Sequence, residues 1–122
     1  MLARKLITIA LIIAAFAGVY YLARLKRGRR LETFARCLTA KQAKMYGLSW
    51  CPHCEDAKQL FGSSFHYINY VECGVPKTHD EKTSCTQAGI KHFPTWEFAD
   101  GSRREGALSL QLLGEKTGCG LP

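Results

Sequence analysis

The sequence predicts an α/β domain with element order β-α-β-α-β-β-α, preceded by one N-terminal transmembrane helix. Three observations lead there. An apolar run lies near the N-terminus. The rest of the chain alternates strand-like and helix-like stretches, beginning as a β-α-β unit. An Asp100-Gly101 turn signal then adds an antiparallel hairpin, so the sheet is mixed.

Leu6 to Ala23, LITIALIIAAFAGVYYLA, holds 18 residues and no charge. At about 1.5 Å per helical residue, that matches a hydrocarbon core of about 30 Å. Tyr20 and Tyr21 fall near one end, where an interfacial aromatic belt sits. The basic cluster Arg24 to Arg30 stops the run. A second reading is a cleaved signal peptide, with Met1–Lys5 as charged leader and Ala15-Phe16-Ala17 as cleavage site. The apolar run continues past that site, which favours an anchor. A buried helix of a soluble domain fits poorly, because the remaining chain is too small to surround it.

Charge follows the same division. Residues 1–30 hold seven Lys/Arg and no acid, which accounts for the whole net charge of +7. From Leu31 onward, ten basic residues balance ten acidic ones. The globular part therefore has no footprint for a polyanion, and no nucleic acid is expected as partner. Orientation draws opposing arguments. Five basic residues follow the apolar run and two precede it, which would place the following domain in the cytoplasm. Six cysteines in 122 residues instead suit an oxidising compartment. The cysteines carry more weight, and an extracytoplasmic domain on a single-pass anchor is expected.

After the anchor of residues 1–30, Gly28-Arg29-Arg30 reads as a short linker. Residues 31–42 read as a connecting arm or short helix, with Leu31, Phe34, Ala35 and Leu38 at helical spacing. The domain proper is placed at 43–122. Ala43 to Trp50 suits a buried strand. Pro52 suits the first turn of a helix that runs to a stop at Gly62. Phe65 to Cys73 reads as a second strand, and Thr83 to Ala88 as a short helix capped by Gly89. Phe93 to Ala99 is strand-like around Pro94, Ser102 to Ala107 is the return strand, and Ala107 to Lys116 closes the fold as a helix.

The chemistry sits in Cys51-Pro52-His53-Cys54. A zinc site needs four ligands, usually as two close pairs. Cys73 and Cys85 are too far apart for a second knuckle, and His66, His79 and His92 are scattered. As a purely structural disulfide the pair would close too short a loop to remove much chain entropy. At a strand-to-helix junction, however, Cys51 is exposed at a helix N-terminus, which favours its thiolate. Thiolate is the attacking species in thiol–disulfide exchange, and Cys54 can close the disulfide again. His53 between them is expected to stabilise the Cys51 thiolate. Stabilising the reduced form makes the pair a comparatively strong oxidant.

Here the chain resembles a known family. SWCPHC followed by HFPTWEF is similar to the thioredoxin superfamily. The stretch from about Lys44 to Thr117 resembles most the thioredoxin-like domain linked to bacterial vitamin K epoxide reductase homologues. The motif Cys-Pro-His-Cys is also that of DsbA-like oxidants. The resemblance implies a thioredoxin-like fold and a cis peptide bond before Pro94, with Phe93's backbone beside Cys51. It implies Cys51 as nucleophile, Cys54 as resolving cysteine, Pro52 and His53 as tuning residues, and Pro94 as substrate-positioning residue. Cys73 and Cys85 match a second cysteine pair, read as a structural disulfide around loop 74–84, as a second redox relay, or as free thiols. Many thioredoxins hold a buried acid where this chain has Met45, which weakens a reductase reading.

Cys37 and Cys119 flank the domain. They either bridge its two ends or leave Cys37 as a shuttle thiol. Trp50 is expected beside the dithiol and Trp96 in the core. The expected function is an anchored oxidant acting on substrate protein thiols. It needs no cofactor, and the resemblance implies a separately encoded quinone-reducing membrane partner of the vitamin K epoxide reductase type that reoxidises it. The alternatives are an extracytoplasmic thiol reductase and a non-enzymatic module binding zinc or a partner through Cys51 and Cys54.

Overall fold

A computed structural model describes residues Met1–Pro122. Its first element, α1, runs without interruption over Leu2–Ala40. The 18-residue apolar window within it has a mean hydropathy of 2.3 and no buried residue. The helix is thus long and apolar enough to cross a membrane. Its last ten residues behave differently. Phe34, Ala35 and Leu38 are buried in the domain core.

One expectation about this region is corrected and another is narrowed. Gly28-Arg29-Arg30 is not a linker, since the helix passes through it. One interior glycine costs about 1 kcal/mol, which long flanking helices of good helix formers tolerate. Residues 31–40 are helical, as one of the two readings had it, but they continue α1 instead of forming a short helix of their own. Their apolar stripe packs into the core.

The sheet has the order β2-β1-β3-β4. Its strands are β1 (Lys44–Gly47), β2 (Asn69–Glu72), β3 (Thr95–Glu97) and β4 (Arg103–Glu105). β1 runs parallel to β2 and antiparallel to β3, and β3 pairs antiparallel with β4. Between them lie α2 (Pro52–Phe61), a 3-10 helix (Gly62–Tyr67), α3 (Thr83–Gln87) and, at the end, α4 (Leu110–Thr117). This is the expected mixed α/β arrangement. The second strand is shorter than expected: Phe65–Tyr67 belong to the 3-10 helix and only Asn69–Glu72 pair. Aromatic and β-branched residues suggested strand, but Phe65 packs on Phe61 and Tyr70 instead.

Strand alternation separates two cores. Met45 faces the larger one, with Phe34, Leu38, Cys54, Ala57, Phe61, Trp96 and Leu113. Tyr46 faces the smaller one, with Leu48, Cys73, Cys85 and Ile90. α1 is fastened to the larger core. The Thr39 hydroxyl donates to the Tyr67 carbonyl at 2.7 Å and accepts from the Asn69 N–H at 3.2 Å. Cys37 is disulfide-bonded to Cys119 just beyond α4.

That bridge spans 82 residues and the Cys73–Cys85 bridge spans 12. In the chain-entropy treatment they restrain the unfolded chain by about 4.5 and about 3 kcal/mol. Replacing Cys37 and Cys119 by alanine should therefore destabilise the domain more than replacing Cys73 and Cys85. Denaturant unfolding of the full chain in detergent checks the order.

A buried and a half-exposed thiol at a helix start

β1 ends at Gly47, and the chain turns through Leu48–Trp50 into α2. Cys51 is the N-cap of α2, with extended backbone angles, and Pro52 opens the first turn. Proline suits that place because its missing N–H would be unpaired anyway. The Cys51 N–H donates to the Leu48 carbonyl at 3.2 Å, and the Glu55 N–H donates to the Cys51 carbonyl at 3.1 Å. The second bond starts the helix and fixes Cys51 on its end.

The two thiols have opposite surroundings. Cys51 is half-exposed and Cys54, one turn on, is fully buried; neither is disulfide-bonded. The Cys51 thiol donates to the Phe93 carbonyl at 3.6 Å. The peptide bond Phe93–Pro94 is cis, and Pro94 is buried. Residues 42 positions apart thus meet at the end of β1, beside the start of β3. His53 turns outward. Its Nδ1 lies 3.8 Å from an Asp56 carboxylate oxygen, and both side chains are well exposed. The Cys51 sulfur is hydrogen-bonded to the Phe93 carbonyl and not to His53.

Cys54's thiol is pushed up to about 12, first by burial and further by the hydrogen bond and charge of Cys51. A backbone hydrogen bond at Leu48 and the Lys58 charge oppose this. Near neutral pH, burial thus holds Cys54 as a thiol.

Sequence reasoning missed the neighbours of Cys54. A Cβ on Gly47 would stand 2.8 Å from Tyr70 Cε2, 3.0 Å from the Tyr70 hydroxyl and 3.3 Å from Cys54 Sγ. Glycine leaves the space these groups share. The Tyr70 hydroxyl donates to Glu72 Oε2 at 2.7 Å. Glu72 Oε1 accepts the N–H groups of Ser49 at 3.0 Å and Gly74 at 2.9 Å. Burial and the Glu72 carboxylate hold the Tyr70 hydroxyl protonated far above the usual phenol range. The signal in the sequence is the alternation Tyr70-Val71-Glu72, which places both polar groups on one face. It becomes meaningful only once β2 is paired to β1.

Trp50 packs against Gly74 and lies 5.2 Å from the His79 ring. Trp96 is fully buried in the core. The structure pairs Cys73 with Cys85, and Cys37 with Cys119. No three His, Cys, Asp or Glu side chains converge as a metal site.

A half-exposed thiol on a helix start, with a second thiol protected one turn inside, is a centre that can open and close a disulfide. The chain is 40% identical over 91 residues to the thiol–disulfide oxidoreductase LTO1 of Arabidopsis thaliana. The alignment covers 71% of this chain and 24% of that protein, so the chain spans about a quarter of its relative's length. No protein-family model matches the chain.

Two measurements test the site. Reduced protein treated with iodoacetamide at pH 7 should take one label, on Cys51. Cys54 should label only as pH climbs toward 12, because burial keeps it protonated below that. Peptide mass spectrometry across a pH series reads this directly. Gly47→Ala should cost about 1–3 kcal/mol, since its methyl overlaps Tyr70 and crowds Cys54; thermal unfolding measures it.

Proposed function

We propose that the chain is a membrane-anchored thiol–disulfide oxidoreductase with a thioredoxin-like domain, working as an oxidant of protein thiols outside the cytoplasm. The observation that carries the exchange chemistry is the asymmetry of the two thiols. Cys51 is accessible at the start of α2, and Cys54 is buried behind it. The named relative at 40% identity supports the same chemistry. The strand order and the cis bond before Pro94 support the thioredoxin-like reading.

In this mechanism the oxidised form carries a Cys51–Cys54 disulfide. A substrate thiolate attacks Cys51 Sγ, the bond to Cys54 breaks, and Cys54 leaves with the electron pair. A second substrate thiolate then attacks the mixed disulfide and releases oxidised substrate and reduced Cys51. Pro94 and the Phe93 backbone position the incoming strand, and Pro52 and His53 tune the pair. Reoxidation falls to a membrane partner of the vitamin K epoxide reductase type, for which the sequence resemblance is the support. α1 is the anchor.

Cys51→Ser should abolish thiol exchange, and Cys54→Ser should trap Cys51-linked mixed disulfides visible on non-reducing gels. The equilibrium potential of the pair against glutathione should lie well above the approximately −270 mV of thioredoxin. A value at or below that would sink the oxidant role and favour a reductase. A reporter active only outside the cytoplasm, fused after Pro122, should be active; a silent fusion with an active cytoplasmic counterpart would reverse the orientation.

A further inference from the structure

Cys54 presents a chemical problem that follows from the proposed exchange reaction, on which this inference rests. Each time the Cys51–Cys54 bond opens, the electron pair lands on a sulfur with no solvent exposure. A proton has to reach it. Each time the bond re-forms, that proton has to leave. Met45, on the neighbouring strand, is apolar and fully buried, so it supplies nothing.

The polar groups facing Cys54 are few. From α2 come Cys51 and Lys58, whose charge acts on Cys54. From β2 come Tyr70 and Glu72. β1 contributes the Gly47 notch and the Leu48 backbone. In that notch the Tyr70 hydroxyl and Cys54 Sγ lie against one point in space, 3.0 and 3.3 Å from it. The Lys58 ammonium sits over the Tyr70 ring, 4.7 Å from its centroid. The Tyr70 hydroxyl is bonded to Glu72, whose carboxylate is pinned by two backbone N–H groups and is only half-buried. One end of this row of groups lies beside the buried sulfur at the Gly47 notch, and the other is half-exposed.

We propose that Tyr70 and Glu72 form the proton relay of Cys54, with Gly47 as the opening that lets them reach it. When substrate thiolate attacks Cys51 Sγ, the substrate–Cys51 bond forms and the Cys51–Cys54 bond breaks. A proton entering from water onto the Glu72 carboxylate passes to Tyr70 as Tyr70 gives its own to the Cys54 thiolate, which leaves Glu72 a carboxylate again. In the reverse direction Cys54 gives its proton to Tyr70, Tyr70 passes one to Glu72, and Glu72 releases it. Cys54 then attacks Cys51 Sγ and expels the partner thiolate.

The experiment is stopped-flow reaction of the reduced full chain with DTNB, in detergent. The other four cysteines are bonded to each other, so two equivalents of thionitrobenzoate appear in two phases. The first is attack by Cys51, and the second is attack by Cys54 on the mixed disulfide. Tyr70→Phe and Glu72→Gln should leave the first phase unchanged and slow the second by roughly tenfold to a hundredfold. The second phase should depend weakly on pH between 6 and 9 in the unaltered chain. In the variants it should rise about tenfold per pH unit, because hydroxide must then do the deprotonation. Glu72→Asp should restore part of the rate. An unaltered second phase and pH profile in Tyr70→Phe, which keeps the ring, would overturn the relay. So would equal slowing of both phases, the mark of a structural role. A missing first phase in the unaltered chain would instead overturn the exchange reading, and the relay with it.

Discussion

β1 is hydrogen-bonded on both sides, to β2 in parallel and to β3 antiparallel, and both pairings end beside the dithiol. The parallel register sets Gly47 opposite Glu72 and Met45 opposite Tyr70. The antiparallel register sets Tyr46 opposite Thr95, which brings Phe93 and Pro94 to the end of β1 where Cys51 emerges. A strand slip of one residue would turn Tyr70 and Glu72 to the opposite face. The site therefore inherits its geometry from the central strand.

Burial then divides the labour between two chemically identical side chains. Cys51 sits at the helix end with a carbonyl beside it, and Cys54 sits inside the core with Ala57 and Phe61. The same packing that stabilises α2 against the sheet keeps the second thiol protonated. Stability and reactivity are set here by one contact surface. A larger residue at Gly47 would disturb both.

The long first helix has a mechanical consequence. It leaves the apolar segment and enters the domain core without a break, and Cys37–Cys119 ties it to the far end of the fold. Arg36 pairs with Glu32 and stacks over Tyr67, adding contacts on the outer side. The domain is rigidly continuous with its apolar segment. Under the anchored reading, the dithiol would keep a set height and heading relative to the bilayer.

Much was legible in the sequence. An uncharged apolar run of 18 residues, a proline after Cys51 and the Asp100-Gly101 turn are local signals, and local physics decides them: helical reach, a missing N–H, a turn geometry. They marked the long apolar helix, the start of α2 and the hairpin. Signals that compete locally misled. Gly28 and its charged neighbours suggested a break, yet helix propagation on both sides outweighs one glycine. The aromatics of Phe65–Tyr67 suggested a strand, yet packing on Phe61 drew them into a 3-10 turn. What only the tertiary structure decided is which distant groups share space. Cys37 meets Cys119, Phe93 meets Cys51, and Tyr70 comes beside Cys54 at Gly47. These meetings depend on strand register and helix docking, which are set by the whole core at once and are written in no single stretch of the chain.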